Sequence, residues 1–288
     1  MKRAAAIGMA TLLAVAGAAI SIAAPPRNGG SNAREPSSFG WTGSLSQGGL
    51  IRGTAPAGTV SLTLDGHPVS LAGDAFVIGF DRDAGPVATL VATRADGSVG
   101  MQRLDVAPRA WRIERLDTLP RFPAPDPVFA KLRPPELAQI AAARAMVTDA
   151  QGWRQTFAWP AEGRISGLFG AQRIYRGEPG AYHGGVDVAV PAGTPVRAPA
   201  DGVVILAADH PFTLEGNLLM IDHGLGLNSA FLHLSRIDVR PGDHVRQGQV
   251  IGAVGMTGRA TGPHLHWGLR WNDARLDPLL VTGPMPLK

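Results

Sequence analysis

Apolar and polar side chains alternate with a period of two over much of the chain. From residue 39 to residue 119, short alternating runs end at turn signals such as Asp65-Gly66 and Asp96-Gly97. The runs that predict strands are Thr59–Leu64, Ala75–Phe80, Ala88–Thr93 and Val99–Val106. Short strands at this spacing predict a small β-sandwich-like domain over residues 39–119.

One stretch follows the period of a helix instead. Residues 120–135 are rich in proline and predict an extended linker, and a helix is predicted from Pro135 to Ala150. Its apolar stripe, which we expect in the core, comprises Leu137, Ile140, Ala143 and Val147. The β pattern returns over residues 155–282, and residues 283–288 form a tail. The sequence therefore predicts a mainly β protein with a linker and helix over residues 120–154.

The first 24 residues have the composition of an export signal. Two basic residues precede an uncharged run from Ala4 to Ala24, and the small residues Ser21 and Ala23 favour cleavage after Ala23. The run is also long enough to span a bilayer, so an uncleaved membrane anchor is the alternative. Residues 25–38 predict a flexible linker. Either outcome places the body of the protein in the periplasm or outside the cell, at the cell wall.

The composition limits which metal ligands, nucleophiles and partners the protein can have. The chain has no cysteine, which excludes disulfides, thiolate metal sites and a cysteine nucleophile. Any metal must therefore be held by His, Asp or Glu. A net charge of +4 suits an anionic partner such as the cell wall. No cluster of Lys and Arg with interleaved aromatic residues is present, so nucleic acid is not expected as a partner.

The histidines concentrate in the last third of the chain. Six of the eight lie between His210 and His266, and His183 precedes them. Two short motifs stand out: His183 and Asp187 form H-x-x-x-D, and His264 and His266 form H-x-H. Because alternate side chains of a strand point to one face, each pair is predicted to face one cavity.

The strand that carries the second motif is the clearer prediction. Its apolar positions Leu265, Trp267, Leu269 and Trp271 alternate with His264, His266, Gly268 and Arg270. Burying four such apolar side chains, at roughly 1.5–3 kcal/mol each, would hold the strand rigidly under the histidines. Two histidines and one aspartate suit zinc, which leaves a fourth position for water in catalytic sites. His233 is a further histidine that could take part in the site.

The segment from about residue 157 to 281 resembles the lysostaphin/LytM family of zinc endopeptidases. The stretches that carry the resemblance are YHGGVDVAVPAGTPVRAPADGVV, IDHGLG, FLHLS, VRPGDHVRQGQVIGAVGMTGRATGPHLHWGL and a closing LDP. The resemblance implies a C-terminal β-sheet-rich LytM-type metallopeptidase domain over residues 155–282. It implies that His183, Asp187 and His266 bind Zn²⁺. It also implies that His233 and His264 share the base, acid and oxyanion-stabilising duties of catalysis.

Together with the predicted export signal, the resemblance implies an exported metalloendopeptidase that hydrolyses peptide bonds in peptidoglycan stem peptides or cross-links. Some family members have lost zinc ligands and activate cell-wall amidases instead, but none of the five motif positions is substituted here. A lipoyl- or biotinyl-type carrier domain is a second alternative, suggested by VRPGDHVRQGQVIGAVG. A carrier needs a lysine at a tight turn, and the lysines of the chain are Lys2, Lys131 and Lys288.

The four other histidines and Arg173 are not assigned to the metal site. His67 is expected on the surface, His210 and His244 in exposed loops, and His223 in a turn. Arg173 either contacts substrate or lies on the surface.

The N-terminal β domain shows no catalytic constellation, and the Pro-rich linker is expected to restrict its orientation. It either shields the catalytic groove or serves as a spacer or docking module for a cell-wall or divisome partner.

Overall fold

A computed structural model describes residues 38–118 and 126–286 of the chain. The predicted export signal, the linker that follows it and residues 119–125 of the Pro-rich segment lie outside the described residues. All described residues belong to one compact unit. Neither helix in the described ranges combines the length and the hydropathy needed to cross a bilayer.

Residues 38–118 form two four-stranded antiparallel sheets. The strands are β1 (Gly40–Gly43), β2 (Leu50–Thr54), β3 (Thr59–Leu64), β4 (His67–Val69), β5 (Leu71–Ala72), β6 (Ala75–Gly79), β7 (Val87–Arg94), β8 (Val99–Asp105) and β9 (Ile113–Leu116). One sheet has the order β1-β2-β6-β5 and the other β4-β3-β7-β8, while β9 belongs elsewhere. Asp65 and Gly66 join β3 to β4 with φ angles of 49° and 82°, as a tight hairpin requires.

The buried faces of these two sheets contribute to one hydrophobic core. The side chains that form this layer are Leu50, Ile51, Phe76 and Ile78 from the first sheet and Leu62, Leu90, Ala92 and Leu104 from the second. The predicted β-sandwich-like architecture of this region is therefore confirmed.

The helix α1 spans Pro127–Arg144, so the predicted range Pro135–Ala150 is wrong at both ends. The Asp126 side chain accepts a hydrogen bond from the Val128 N–H at 2.9 Å and caps the helix. Pro127 occupies the first helical position, where its missing N–H costs nothing. The aspartate-proline pair is a helix start signal that lies inside the segment predicted as an extended linker.

The predicted apolar stripe of this helix is only half correct. Ile140 and Ala143 are buried, but Leu137 is 47% exposed and Val147 is 96% exposed. Val147 lies beyond Arg144, where the helix ends, so helical spacing no longer applies to it. The two buried residues pack against a satellite core of Ile205, Phe212, Leu218 and Met220.

Thirteen strands and a short helix follow α1 within the described residues. They are β10 (Arg164–Gly167), β11 (Gln172–Tyr175), β12 (Glu178–Pro179), β13 (Val186–Ala189), β14 (Pro195–Arg197), β15 (Gly202–Ala207), β16 (Asn217–Asp222), β17 (Leu227–Leu234), β18 (Arg236–Ile237), β19 (His244–Val245), β20 (Val250–Ala253), β21 (Leu265–Trp271), β22 (Ala274–Leu276) and α2 (Leu279–Thr282). Most of these strands form an eight-stranded sheet of order β10-β13-β21-β17-β16-β15-β19, with β22 paired to β21. A smaller sheet has the order β14-β20-β18. The predicted mainly β fold class is confirmed.

The two β regions pack directly against each other. β9 from the first region pairs in parallel with β11 of the second, so it extends the β11–β12 hairpin. Arg109 donates to the buried carboxylate of Asp277 at 2.7 Å. A Cβ atom at Gly79 of β6 would lie only 2.7 Å from Cδ2 of Leu276, so glycine permits the close approach. The regions therefore share one continuous core.

Candidate metal centre

Strand register brings two of the three predicted ligands together. β13 and β21 are antiparallel neighbours, and Asp187 lies directly opposite His266. Residues paired in this way have their side chains on the same face and close to each other. The alternation along β21 follows the prediction, because Leu265, Trp267, Leu269 and Trp271 are all buried.

His183 reaches the same point from outside the strand. β13 begins at Val186, so the predicted strand that would carry both His183 and Asp187 is wrong at its first residues. The loop before β13 lies flat against β21, since a Cβ atom at Gly185 would be 2.3 Å from the Trp267 carbonyl oxygen. Glycine at this position therefore allows the loop to fold back, and the His183 ring comes to lie over the sheet.

The three side chains form a compact triangle of ligand atoms. Nε2 of His183 lies 3.0 Å from Oδ1 of Asp187 and 3.0 Å from Nδ1 of His266. The third side, from His266 Nδ1 to Asp187 Oδ1, measures 2.9 Å. Tetrahedral zinc with ligands at roughly 2.0–2.2 Å separates its ligand atoms by about 3.3 Å. The triangle therefore has the size of a metal site.

The hydrogen bonds around the triangle favour a cation at its centre. Nδ1 of His183 lies 3.0 Å from the Leu168 carbonyl oxygen, which can only accept, so the neutral ring presents the lone pair of Nε2 to the triangle. Burial alone would raise the pKa of Asp187, but its close contacts with the imidazoles of His183 and His266 hold that pKa far below its usual range. A carboxylate and two imidazole nitrogens that face one another fit a metal ion.

Two further histidines flank the triangle with matching orientations. Nδ1 of His233 donates to the Thr257 carbonyl oxygen and Nδ1 of His264 to that of Gly262, each at 2.8 Å. A neutral ring with its Nδ1 proton donated in this way keeps a lone pair on Nε2. The rings lie 4.9 Å apart between centroids, and Nε2 of His264 is 3.9 Å from Oδ1 of Asp187. Burial lowers the pKa of His233 to about 4, so this ring is neutral at neutral pH.

The backbone of His233 is held in an unusual conformation. Its φ is +63°, in the left-handed region that side chains other than glycine rarely adopt. The His233 N–H donates to the Glu215 carbonyl oxygen at 2.8 Å, which helps to fix this conformation. Such strain is frequent where a side chain must be aimed at a functional site.

The other histidines lie away from the triangle, and two differ from the prediction. His67 and His210 are exposed, whereas His244 is exposed but belongs to β19 rather than to a loop. His223 precedes a turn, but it is completely buried. Arg173 forms an ion pair with Glu114 at 2.8 Å on the surface, where both side chains are at least half exposed.

Sequence reasoning missed the groove beside the triangle. This groove, about 250 Å³ in volume, begins at His266 and is lined by Arg144, Arg270 and Arg275. The alternation of β21 contained a signal for one of them, because Arg270 falls on the same strand face as His266. The other two arrive from α1 and β22, which no local pattern connects with the metal motifs.

The fold and the site define a metallopeptidase. Residues 181–278 match the model of peptidase family M23. The crystal structure of an M23 peptidase candidate from Pseudomonas aeruginosa is 32% identical, and the match covers 83% of this chain and 95% of that chain with a TM-score of 0.64. The chain belongs to peptidase family M23, and the resemblance drawn from the two motifs is confirmed.

Curated relatives share the C-terminal region. The peptidoglycan DD-endopeptidase ShyA of Vibrio cholerae is 43% identical over 123 residues, which is 42% of this chain and 28% of the relative. The DD-carboxypeptidase/endopeptidase Mpg of Neisseria meningitidis is 44% identical over 127 residues, which is 43% of this chain and 28% of the relative. The matches thus span little more than a quarter of the length of these relatives.

Proposed function

We propose that the protein is an exported zinc metalloendopeptidase that hydrolyses peptide bonds in peptidoglycan stem peptides or cross-links. The observation that carries the proposal is the triangle of His183 Nε2, Asp187 Oδ1 and His266 Nδ1, with two oriented imidazoles beside it. Two imidazoles, one carboxylate and an open fourth position are the donor set of catalytic zinc. The names of the curated relatives support peptidoglycan peptides as substrate.

In this proposal the residues of the site divide the work by position. His183, Asp187 and His266 hold the ion, and Leu168 fixes the ring of His183 through its carbonyl group. Zinc, when bound, lowers the pKa of water and polarises a carbonyl group. His233 and His264 offer Nε2 lone pairs to the same space, so either imidazole can accept a proton there and return it to the leaving amine.

Export is the part of the proposal that rests on sequence alone. The two basic residues, the uncharged run to Ala24 and the small residues before it support a cleaved signal, with an anchor as the alternative. N-terminal sequencing of the protein recovered from the periplasm separates the two, because cleavage after Ala23 leaves Ala24 as the first residue. Recovery in the cytoplasm would contradict export.

The activity is tested on purified material. The full mature protein is loaded with zinc, and cross-linked muropeptides are digested and analysed by mass spectrometry, with Asp187→Ala as the inactive control. Products that differ by one water across a peptide bond support the proposal and identify the bond. Bound zinc without any cleavage would overturn it and favour the amidase-activator alternative, which stimulation of a purified amidase would then test.

A further inference from the structure

The groove beside the metal centre runs along the sheet face that carries His266. Its floor is made of residues from β16, β17 and β21, among them Met220, Ala230 and Gly268. The end of α1 forms one wall, and the segment around Gly184 with β22 forms the other. A peptide whose reacting bond lies at the metal centre would continue along this floor.

Three arginines meet in this groove. Arg270 on β21 pairs directly with Arg275 on β22, and on its other side it pairs with Asn228 on β17. Like charges placed opposite each other destabilise an antiparallel pair. Arg144, at the end of α1, lines the same space. Loss of solvent, together with the charges of Arg270 and Arg275, lowers its pKa to about 10, which leaves it charged at neutral pH.

The protein supplies little negative charge to balance them. Glu215 is the one carboxylate among the described lining residues, and Arg133 engages both its oxygens at 2.6 and 2.8 Å. Arg270 contacts Asp273 at 3.0 Å, but that carboxylate is fully exposed, so water screens the pair. No described carboxylate forms an ion pair with Arg144 or Arg275. Among the described residues, these three arginines therefore have no buried carboxylate paired with them.

The N-terminal region holds one of these arginines in position. The Arg275 backbone N–H donates to Asp81 at 3.0 Å, and the Tyr182 hydroxyl donates to the same carboxylate at 3.0 Å. The Arg275 guanidinium lies 5.1 Å from the centroid of the Tyr182 ring. A Cβ atom at Gly184 would be 3.2 Å from Cδ of Arg275. The guanidinium is thus placed beside the loop that carries His183.

We propose that Arg144, Arg270 and Arg275 form a subsite that binds a carboxylate of the peptide substrate; this inference rests on the proposed function. Guanidinium groups bind carboxylates through paired, charge-assisted hydrogen bonds. A strand rises about 3.4 Å per residue, so Arg270 lies about 14 Å along β21 from His266. The subsite therefore selects peptides with a carboxylate up to about four extended residues from the reacting bond.

The test compares matched substrates on the full mature protein. A soluble cross-linked muropeptide with free carboxylates is compared with one form amidated at its side-chain carboxylates and another amidated at its C-terminus. Turnover gives kcat and KM, and calorimetric titration into zinc-loaded His264→Ala gives Kd independently of cleavage. We expect one of the two amidated peptides to show KM and Kd about tenfold higher than the free peptide, with kcat nearly unchanged. The position of its amide identifies the carboxylate that the subsite binds.

Variants connect this preference to the groove. Arg144→Gln should raise KM about tenfold for the free peptide. It should leave KM unchanged for the amidated peptide that already binds more weakly, and Arg144→Lys should have an intermediate effect. Arg103→Gln, at an exposed position of β8 in the N-terminal region, is the matched control. Equal Kd values for all three peptides would overturn the subsite, and so would an equal loss by Arg144→Gln on both peptides. If Kd differs between the free and amidated peptides but no peptide is cleaved, the proposed hydrolysis is wrong and the subsite is still supported.

Discussion

The strand β17 has a buried histidine near each end, and the two differ in how their nitrogens are used. His223 packs beside the start of the strand, and its Nδ1 and Nε2 contact the Asp201 carbonyl and the Ser229 hydroxyl, each at 2.8 Å. His233 lies near the other end, with Nδ1 bonded to a carbonyl, no hydrogen bond from Nε2 to another described residue, and a ring centroid 6.3 Å from that of His266. Burial lowers the pKa of each to about 4.

The comparison shows that burial and a shifted pKa do not separate a structural histidine from one that we propose to be catalytic. Both ring nitrogens of His223 have hydrogen-bond partners. The Trp267 N–H donates to the same Ser229 hydroxyl at 3.2 Å, so no nitrogen of His223 is left to contact a substrate. A histidine that is to exchange a proton with substrate must keep one nitrogen available. Changes in the two regions should therefore affect different measured quantities.

The largest effect is expected at the metal centre itself. Asp187→Ala removes the one anionic ligand, so we expect bound zinc to be lost and kcat/KM to fall by more than about 10⁴-fold, since the metal and the oriented water disappear together. Elemental analysis and muropeptide turnover measure both, with exposed His210→Ala as the control. Full zinc occupancy in Asp187→Ala would show that the triangle is not the metal site.

His233→Ala and His264→Ala should come next. Both are expected to retain zinc while kcat/KM falls by roughly 10²–10⁴-fold, the usual contribution of a general acid or base. The same two measurements apply, with circular dichroism to verify folding. Stoichiometric loss of metal in either variant would mean that a ligand had been mistaken for a proton carrier.

His223→Ala should affect stability rather than chemistry. The substitution leaves a cavity and two buried partners unsatisfied, so the free energy of unfolding should fall by about 2–4 kcal/mol. Denaturant titration measures this loss. Zinc content and kcat per folded molecule should match the unchanged protein. A hundredfold loss of kcat in folded His223→Ala would erase the distinction between the two ends of β17.

The pH dependence of stability offers a further test of His223. Its folded pKa of about 4 lies below an unfolded value of about 6.5, so the unfolded chain binds the proton first as pH falls. The stability that it contributes is fully present above pH 6.5 and is lost toward pH 4. The stability difference between the unchanged protein and His223→Ala should therefore shrink by about 2 kcal/mol from pH 7 to pH 5. A constant difference would indicate that His223 can be protonated in the folded state.

The smallest effect is expected from Ser229→Ala. The hydroxyl links His223 to Trp267, so its removal should cost about 1–2 kcal/mol in the free energy of unfolding. Turnover should stay within about twofold, because Ser229 lies on the buried side of the sheet, away from the groove. Ser235→Ala, which removes a hydroxyl bonded to the Val254 carbonyl group, is a matched control.

Local patterns predicted the parts of the site that follow a strand period. β21 alternates cleanly, so the placement of His264 and His266 on one face followed from sequence. The position of His183 did not, because it depends on a glycine loop pressed against β21. The start of α1 was signalled by Asp126 and Pro127, but the prolines around them were assigned to an extended segment. Helix boundaries in proline-rich sequence depend on which proline occupies the first turn.

Other features depend on contacts between distant parts of the chain. The burial of His223 arises from packing against Phe157, whose ring centroid lies 4.8 Å away. The arginine groove needs α1 to fold back on the sheet and β22 to pair with β21. No periodicity within a short window contains that information.

The separation of the metal ligands along the chain has a consequence for biosynthesis. His183 and His266 are 83 positions apart, and β13, which carries Asp187, pairs with β21, the strand that carries His266 near the end of the described chain. Such long-range closure is slow compared with local folding. A nascent chain that has emerged only as far as β17 holds two of the three donors and lacks the last. We therefore expect zinc capture to be a late event, so that incomplete chains stay inert and metal uptake reports the completion of folding.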